Sequence, residues 1–125
     1  MVHKLRDRDQ SVGCIVRDPS RVAFDASVVV HRADLLDPRS LETIDGGYTA
    51  AFYLVHSMGR GGDANYEERD AVAASNFARF AVATGIGRVI YLGGLGDRPG
   101  SQHLRSRLHV GEILRDEGPS LTWFK

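Results

Sequence analysis

Few side chains of this sequence stand in a pattern that supports chemistry on its own. Cys14 is the only cysteine among 125 residues, which excludes an internal disulfide and a multi-cysteine metal site. Because it lies in an apolar alternation, it is predicted to be a small buried hydrophobe rather than a reactive thiol. No group of His, Asp and Glu has metal-ligand spacing, so no metal site is predicted. Glu112 precedes Arg115 by three residues, which favours a structural ion pair over a catalytic contact.

The overall charge excludes several classes of partner. The sequence has 16 Lys and Arg against 16 Asp and Glu, a formal net charge of +0, so it lacks the basic excess of proteins that bind nucleic acid or a membrane surface. No apolar stretch reaches the roughly 20 residues that span a bilayer, and the first ten residues are polar. We expect a cytoplasmic chain with no nucleic-acid and no membrane partner. The length predicts a single domain over 1–125.

The elements that must position any site alternate between short strands and helices. Strands are predicted at 11–16, 27–31, 49–56, 88–92 and 121–124, and helices at 38–45, 65–84 and 102–116. Asp37 is a plausible N-cap, and a turn at Asp18 is predicted to open a short helix. In the helix predicted at 65–84, the apolar face is formed by Val72, Phe77, Phe80 and Ala81. Trp123 and Phe124 of the last strand are predicted to pack in the core rather than to act in a site. This alternation predicts an α/β fold with a doubly wound parallel sheet.

Five strings in the sequence carry a resemblance to a known family. They are VRDP at 16–19, ADLLDP at 33–38, YLVHS at 53–57, YLGGLG at 91–96 and HLRSRLHVGEIL at 103–114. In order and spacing they resemble the atypical and extended short-chain dehydrogenase/reductase superfamily, in its NAD(P)-binding NmrA-like branch, which is similar to the Rossmann accessory subunit of respiratory complex I. The resemblance covers nearly the whole chain and implies a Rossmann-like fold.

The same resemblance implies that part of the fold is missing. The family begins with a buried strand and a GxxGxxG turn that holds the cofactor pyrophosphate, and it continues into a substrate-binding region. Here the strand at 11–16 corresponds to the family's second strand, and the glycines at 59–62 and 93–96 follow the wrong strands to replace that turn. We therefore expect an incomplete Rossmann-like domain, an internal fragment, whose unpaired strands promote self-association.

The resemblance assigns cofactor-binding roles to six residues. Arg17 resembles an NADP-selecting residue that bonds a 2′-phosphate, with Arg21 assisting, and the alternative is a solvated loop arginine paired with Asp18. Asp34 and Leu35 match the loop that contacts adenine, although an Asp there is also a common turn residue. His56 and Ser57 match the loop under the nicotinamide ribose, and the alternative for His56 is a strand-end histidine satisfied by backbone groups. NADP is expected in preference to NAD, with weak or absent binding.

The catalytic set of the family is replaced at every position. Its reductases use a Tyr and a Lys spaced YxxxK, with a Ser at the end of the preceding strand. The matching residues are His103 and Arg107, and the strand ends in Gly93 and Gly94. Arginine stays charged and lacks the adaptability of lysine. Three functions stay open: an NAD(P)-dependent oxidoreductase or epimerase-like enzyme in an intact parent, a non-catalytic NAD(P) sensor or assembly factor, and a fragment that binds no nucleotide well.

Overall fold

The structure, a computed structural model, describes residues 2–8, 10–55, 65–93 and 102–125. The strands are β1 (Gly13–Val16), β2 (Val29–Arg32), β3 (Ala50–Tyr53), β4 (Arg88–Leu92) and β5 (Ser120–Phe124). The α-helices are α1 (Val2–Asp7), α2 (Pro38–Leu41), α3 (Tyr66–Ala83) and α4 (Gln102–Glu117), and a 3-10 helix covers Pro19–Arg21. The chain divides into two compact units, the first ending at Ile44 and the second beginning at Asp45. Whether they form the predicted single domain stays a prediction.

The first unit contains a parallel pair of strands. β1 pairs with β2 so that Gly13 lies opposite Val29 and Val16 opposite Arg32. The chain turns from β2 into α2 through Asp37, whose side chain accepts from the N–H of Arg39, and Pro38 starts the helix, where its missing N–H costs nothing. The buried apolar side chains of this unit are Val28, Ala33, Leu35, Leu41 and Ile44.

The second unit is a three-stranded parallel sheet covered by two helices. The strand order is β3-β4-β5, and the register places Tyr53 opposite Tyr91 and Tyr91 opposite Trp123. These side chains share one face of the sheet because alternate residues of a strand point to the same side. The buried residues of α3 include Phe77, whose ring centroid lies 5.1 Å from that of Tyr53. This face holds the core.

The opposite face of the same sheet is exposed. Phe52, Leu92 and Phe124 are 39%, 65% and 56% exposed, although the strands of a complete doubly wound sheet are covered on both faces. Phe124 was predicted to pack, and this was wrong because its side chain points away from the helices. Val72 was also predicted to lie on the apolar face of α3, but it is 42% exposed. The buried stripe of α3 instead runs through Ala74, Ala78 and Ala81, each 0% exposed.

The predicted elements are confirmed, and their ends shift by a few residues. All three strand pairs are parallel, with β1-β2 as a two-stranded sheet in the first unit and β3-β4-β5 as a three-stranded sheet in the second. The largest shift is in the helix predicted at 38–45, where α2 ends at Leu41. No helix in the described ranges has the length and apolar content needed to cross a membrane.

Candidate functional site

In the first unit, two predicted nucleotide-binding residues follow neighbouring strand ends. Arg17 follows β1 directly, and Asp34 lies two residues after the end of β2. The N–H of Ala33 donates to the carbonyl of Val16 at 3.0 Å, which holds the two chain segments side by side. The carboxyl ends of parallel strands are where open α/β sheets bind ligands. Arg17 is exposed and forms no ion pair with any residue that the structure describes.

The loop after β1 is organised by Asp18. One oxygen of its carboxylate, Oδ1, accepts from the N–H of Ser20 at 3.1 Å and from the Ser20 hydroxyl at 2.6 Å. These bonds are the main reason that the pKa of Asp18 lies below its usual value, and Arg32 adds to the effect. The other oxygen, Oδ2, lies 3.6 Å from Nε of Arg21. The predicted alternative of a loop arginine paired with Asp18 therefore describes Arg21 rather than Arg17.

Asp34 stabilises a turn, which is one of the two roles that the sequence analysis considered for it. Its Oδ1 accepts from the N–H of Leu36 at 2.9 Å, and its own N–H donates to the hydroxyl of Ser40 at 2.9 Å. The other carboxylate oxygen makes no hydrogen bond to a residue in the described ranges. Leu35 is 9% exposed and belongs to the core of the unit. An adenine contact by Asp34 stays a prediction. His56 and Ser57 lie outside the described residues.

In the second unit, the positions matching Tyr and Lys lie on one side of α4. His103 is exposed, and its ring stacks on that of Tyr66 at the start of α3, with centroids 4.9 Å apart. The backbone carbonyl of Arg107 accepts from the hydroxyl of Tyr91 at 3.1 Å. The predicted catalytic pair is therefore in contact with two tyrosines on neighbouring elements, one through its ring and one through its backbone.

Gly93, the position matching the catalytic serine, lies against Trp123. A Cβ at Gly93 would approach Nε1 of Trp123 to 2.6 Å, a distance that real Cβ atoms essentially never show. A Cβ at Gly111 of α4 would collide with the other side of the same ring. The indole is thus held between two glycines, and its N–H has no hydrogen-bond partner among the described residues. A serine side chain at position 93 would therefore require the ring to shift.

Sequence reasoning missed a polar contact between the two helices. Asp70 of α3 is 7% exposed, and its Oδ2 accepts from the hydroxyl of Ser106 of α4 at 3.2 Å. Its negative charge adds to burial in raising the pKa of Tyr91, which reaches about 12, and it also raises the pKa of Tyr53. The signal in the sequence was an acidic residue on an apolar helix face, four residues after Tyr66 and seven before Phe77.

The remaining predicted side-chain roles are resolved by local contacts. Arg115 bonds Asp116 through Nε at 3.0 Å, and the charge of Glu112 adds to raising the pKa of Arg115 without the close ion pair that was predicted. Glu112 instead lies 3.9 Å from Nδ1 of His109, one turn earlier. Cys14 is half-buried, and burial raises the pKa of its thiol, which disfavours the reactive thiolate. Within the described ranges, no group of three or more His, Cys, Asp and Glu is placed to hold a metal.

Comparison with known proteins identifies the fold. No family model matches the chain, and no curated protein sequence matches it. Solved structures do. The Bordetella bronchiseptica enzyme WbmH in complex with NAD+ has a TM-score of 0.77 at 16% identity, with 98% of this chain and 50% of that chain covered. The chain shares its fold.

Two further structures have the same fold. A nucleoside-diphosphate-sugar epimerase from Staphylococcus aureus has a TM-score of 0.75 at 16% identity, covering 98% of this chain and 43% of that one. Citrobacter sp. triphenylmethane reductase complexed with NADP(H) has a TM-score of 0.72 at 18% identity, covering 89% and 38%. The Rossmann-like fold implied by the resemblance is confirmed. The chain spans at most about half the length of these three structures.

Proposed function

We propose that the chain binds the adenosine end of a nicotinamide dinucleotide, with NADP(H) preferred over NAD(H), and that it has no reductase activity by itself. The observation that carries the proposal is the exposed guanidinium of Arg17 at the carboxyl end of β1, which has no ion-pair partner among the described residues. It belongs to a fold shared with structures that hold NAD+ and NADP(H). Guanidinium groups form charge-assisted bonds to phosphate, and the 2′-phosphate distinguishes NADP from NAD.

The residues of the first unit fit the adenosine half of the cofactor better than its pyrophosphate. Arg17 and Asp34 supply a cation and a carboxylate at adjacent strand ends, but the sequence has no GxxGxxG turn ahead of β1 to donate backbone N–H groups. Losing three or four charge-assisted hydrogen bonds of ~1.5–3 kcal/mol each removes roughly 5–12 kcal/mol of binding free energy. The whole binding free energy of a micromolar complex is only ~8 kcal/mol. Binding is therefore millimolar or weaker.

The absence of reductase chemistry rests on the second unit. A serine at position 93 would collide with Trp123, and the exposed ring of His103 is stacked on Tyr66. A bound dinucleotide would supply a hydride, but proton transfer to a carbonyl substrate needs a positioned acid. His103 could act as an acid, but the hydroxyl pair that the resemblance assigns to this role is replaced by His103 and Gly93. A second candidate is an oxidoreductase or epimerase-like activity of a longer protein, which the enzymes of the same fold and twice the length support.

Calorimetric titration of the chain with NADPH and NADH tests the proposal. NADPH is expected to bind with a millimolar Kd and NADH more weakly. Arg17→Ala should erase the difference, whereas Arg8→Ala, which removes an exposed arginine before β1, should keep it. Micromolar binding of either cofactor would overturn the proposal of weak binding and favour the sensor or oxidoreductase alternatives. No binding of NADPH at millimolar concentration would favour a fragment that binds no nucleotide.

A further inference from the structure

The first residues of the second unit contain an aspartate followed by a glycine. Asp45 and Gly46 form the only Asp-Gly pair of the sequence, which has no Asn-Gly pair either. Both residues are exposed, and they lie outside helices and strands, between the end of α2 at Leu41 and the start of β3 at Ala50. The peptide bond that joins them is therefore open to solvent.

Neither reacting group of this pair is held by the fold. The N–H of Gly46 and the carboxylate of Asp45 make no hydrogen bond or ion pair with any residue that the structure describes. Asp25, another exposed loop aspartate, differs in this respect, because its Oδ1 accepts from the N–H and the hydroxyl of Ser27. The carboxylate of Asp45 can therefore rotate toward the nitrogen of Gly46.

The two glycines after Asp45 are required by the backbone. A Cβ at Gly46 would approach the carbonyl oxygen of Thr84, the C-cap of α3, to 2.8 Å, so main chain would have to shift. Gly47 has a φ of +109°, a conformation that residues with a side chain rarely adopt. The fold thus retains glycine after Asp45, and a glycine has no Cβ to shield its nitrogen from attack.

We propose that Asp45 is a site of spontaneous modification, at which the main chain is converted to an isoaspartyl linkage. The nitrogen of Gly46 attacks Cγ of Asp45 and forms a bond to it, and the carboxyl hydroxyl group leaves with the amide proton as water. A second water molecule opens the resulting five-membered succinimide ring. Attack at Cγ restores aspartate, whereas attack at the main-chain carbonyl breaks the bond from this carbonyl to the nitrogen. One water is lost and one is gained, so the reaction needs no oxidant or reductant.

The isoaspartyl product has the mass of the parent chain but a different main chain. It runs through Cβ and Cγ of Asp45, which adds one atom directly before Gly46, the residue that lies against the Thr84 carbonyl. It also carries a free α-carboxylate, the group to which isoaspartyl methyltransferases transfer a methyl group from S-adenosylmethionine. The modified chain is therefore a substrate for that class of repair enzyme.

The test follows the intact 125-residue chain during incubation at pH 6 and 37 °C. Trypsin releases residues 40–60, with Asp45 as their only aspartate, and residues 22–32, with Asp25 as theirs. Liquid chromatography separates the aspartyl, succinimidyl and isoaspartyl forms of each peptide, and electron-transfer fragmentation identifies the linkage. Isoaspartate is expected to accumulate at Asp45 about tenfold faster than at Asp25, whose neighbour Ala26 has a Cβ.

Three variants report on the mechanism. Asp45→Glu keeps the exposed charge but would have to close a six-membered ring, so the modification should be lost. Asp45→Asn should react faster than the parent chain and release ammonia, which leaves the same ring more readily than water does. Asp25→Glu is the matched control in another exposed loop, and it should leave the rate at Asp45 unchanged.

Several results would overturn the proposal. If the folded chain reacts more than about tenfold more slowly than the same chain in urea, the fold protects this bond from local motion. Equal rates at Asp45 and Asp25 would show general ageing of exposed loops. Isoaspartate formation that persists in Asp45→Glu would place the reaction at another residue, and a parent chain that forms none contradicts the proposal directly. None of these outcomes affects the NADPH titration, which judges the proposed function separately.

Discussion

The indole nitrogen of Trp123 occupies the space that a side chain at position 93 would need. A Cβ on Gly93 would lie 2.6 Å from Nε1, and the other side of the ring is closed by Gly111. A side chain at position 93 therefore requires the indole to shift, while β4 and β5 stay paired in register. Glycine at position 93 and tryptophan at position 123 are therefore a matched pair in the packing of this unit.

The first prediction is a stability coupling between these two positions. Gly93→Ala is expected to lower the free energy of unfolding by ~1–3 kcal/mol, the usual effect of overpacking a filled site. In a Trp123→Leu background the same substitution should cost much less, because leucine lacks the atoms that collide with the new Cβ. Urea denaturation followed by far-UV circular dichroism measures the effect of Gly93→Ala in both backgrounds. Tryptophan fluorescence cannot be used, because Trp123 is the only tryptophan and is absent from the Trp123→Leu background.

Gly87→Ala is the control for this cycle. A Cβ there would lie 3.6 Å from the carbonyl oxygen of Thr49, an ordinary contact, so the stability should change by no more than ~0.5 kcal/mol. If Gly93→Ala is equally costly with and without Trp123, then the two residues are not coupled as described.

A second prediction concerns alkaline pH and the contact between Tyr91 and α4. Burial raises the pKa of Tyr91 to about 12 from an ordinary value of 10, so the folded chain favours the protonated phenol. The stability that this provides is fully present below pH 10, where the unfolded chain is also protonated. It is lost as the pH rises from 10 to about 12, because only the unfolded chain ionises readily there. Tyr53, whose pKa is also raised by burial, acts in the same direction.

Tyr91→Phe separates the hydrogen bond from the titration. At pH 7 the free energy of unfolding of the variant should be lower by about 1 kcal/mol, because the carbonyl of Arg107 no longer accepts a hydrogen bond from the Tyr91 hydroxyl. Between pH 10 and 12 its stability should fall less steeply than that of the parent chain. Urea midpoints across this pH range measure both effects. An unchanged pH dependence would mean that Tyr91 is not held neutral by the fold.

The third prediction concerns the loop that carries the proposed nucleotide site. The two bonds from Ser20 hold the pKa of Asp18 below its ordinary value of 3.8. The contribution of Asp18 to stability is therefore present above pH 3.8 and is lost as the pH falls through the lower pKa of the folded chain. Ser20→Ala should bring this pKa back toward 3.8 in an NMR titration of the carboxyl carbon. Ser27→Ala removes a similar bond to Asp25 and should leave the pKa of Asp18 unchanged.

The order of the elements could be predicted because periodicity follows burial directly. The strand at 88–92 alternates inward and outward residues, and Val89 and Tyr91 are buried as this pattern requires. The exposed position of Phe124 could not be predicted in the same way. Its apolar type indicates packing, but the side of the sheet to which it points depends on which face the helices cover, and that is a property of the whole unit.

For the candidate site, the sequence predicted which positions matter but not what their side chains contact. The strings single out Gly93 and His103, but the surroundings of both involve residues distant in sequence: Trp123 fills the space beside Gly93, and Tyr66 stacks on His103. Contacts between elements determine such roles, and a single sequence carries no direct signal for them.

The last prediction is the self-association expected from unpaired strands. β3 lies at an edge of its sheet, and its four residues, Ala50–Tyr53, include no charge and no proline. Natural edge strands use such residues to prevent pairing with another chain, so the residues of β3 itself offer no such protection. The average mass in sedimentation equilibrium should therefore increase with protein concentration.

Two substitutions of matched chemistry test whether the strand is responsible. Phe52→Lys places a charge on β3 at a side chain that is 39% exposed, so it should reduce association with little effect on folding. Val82→Lys removes a more exposed apolar side chain, at 56%, from α3, which has no strand edge. If general hydrophobic attraction were the cause, Val82→Lys would reduce association at least as much. Association through the strand requires that Phe52→Lys act alone, and a chain that stays monomeric at every concentration would contradict the prediction.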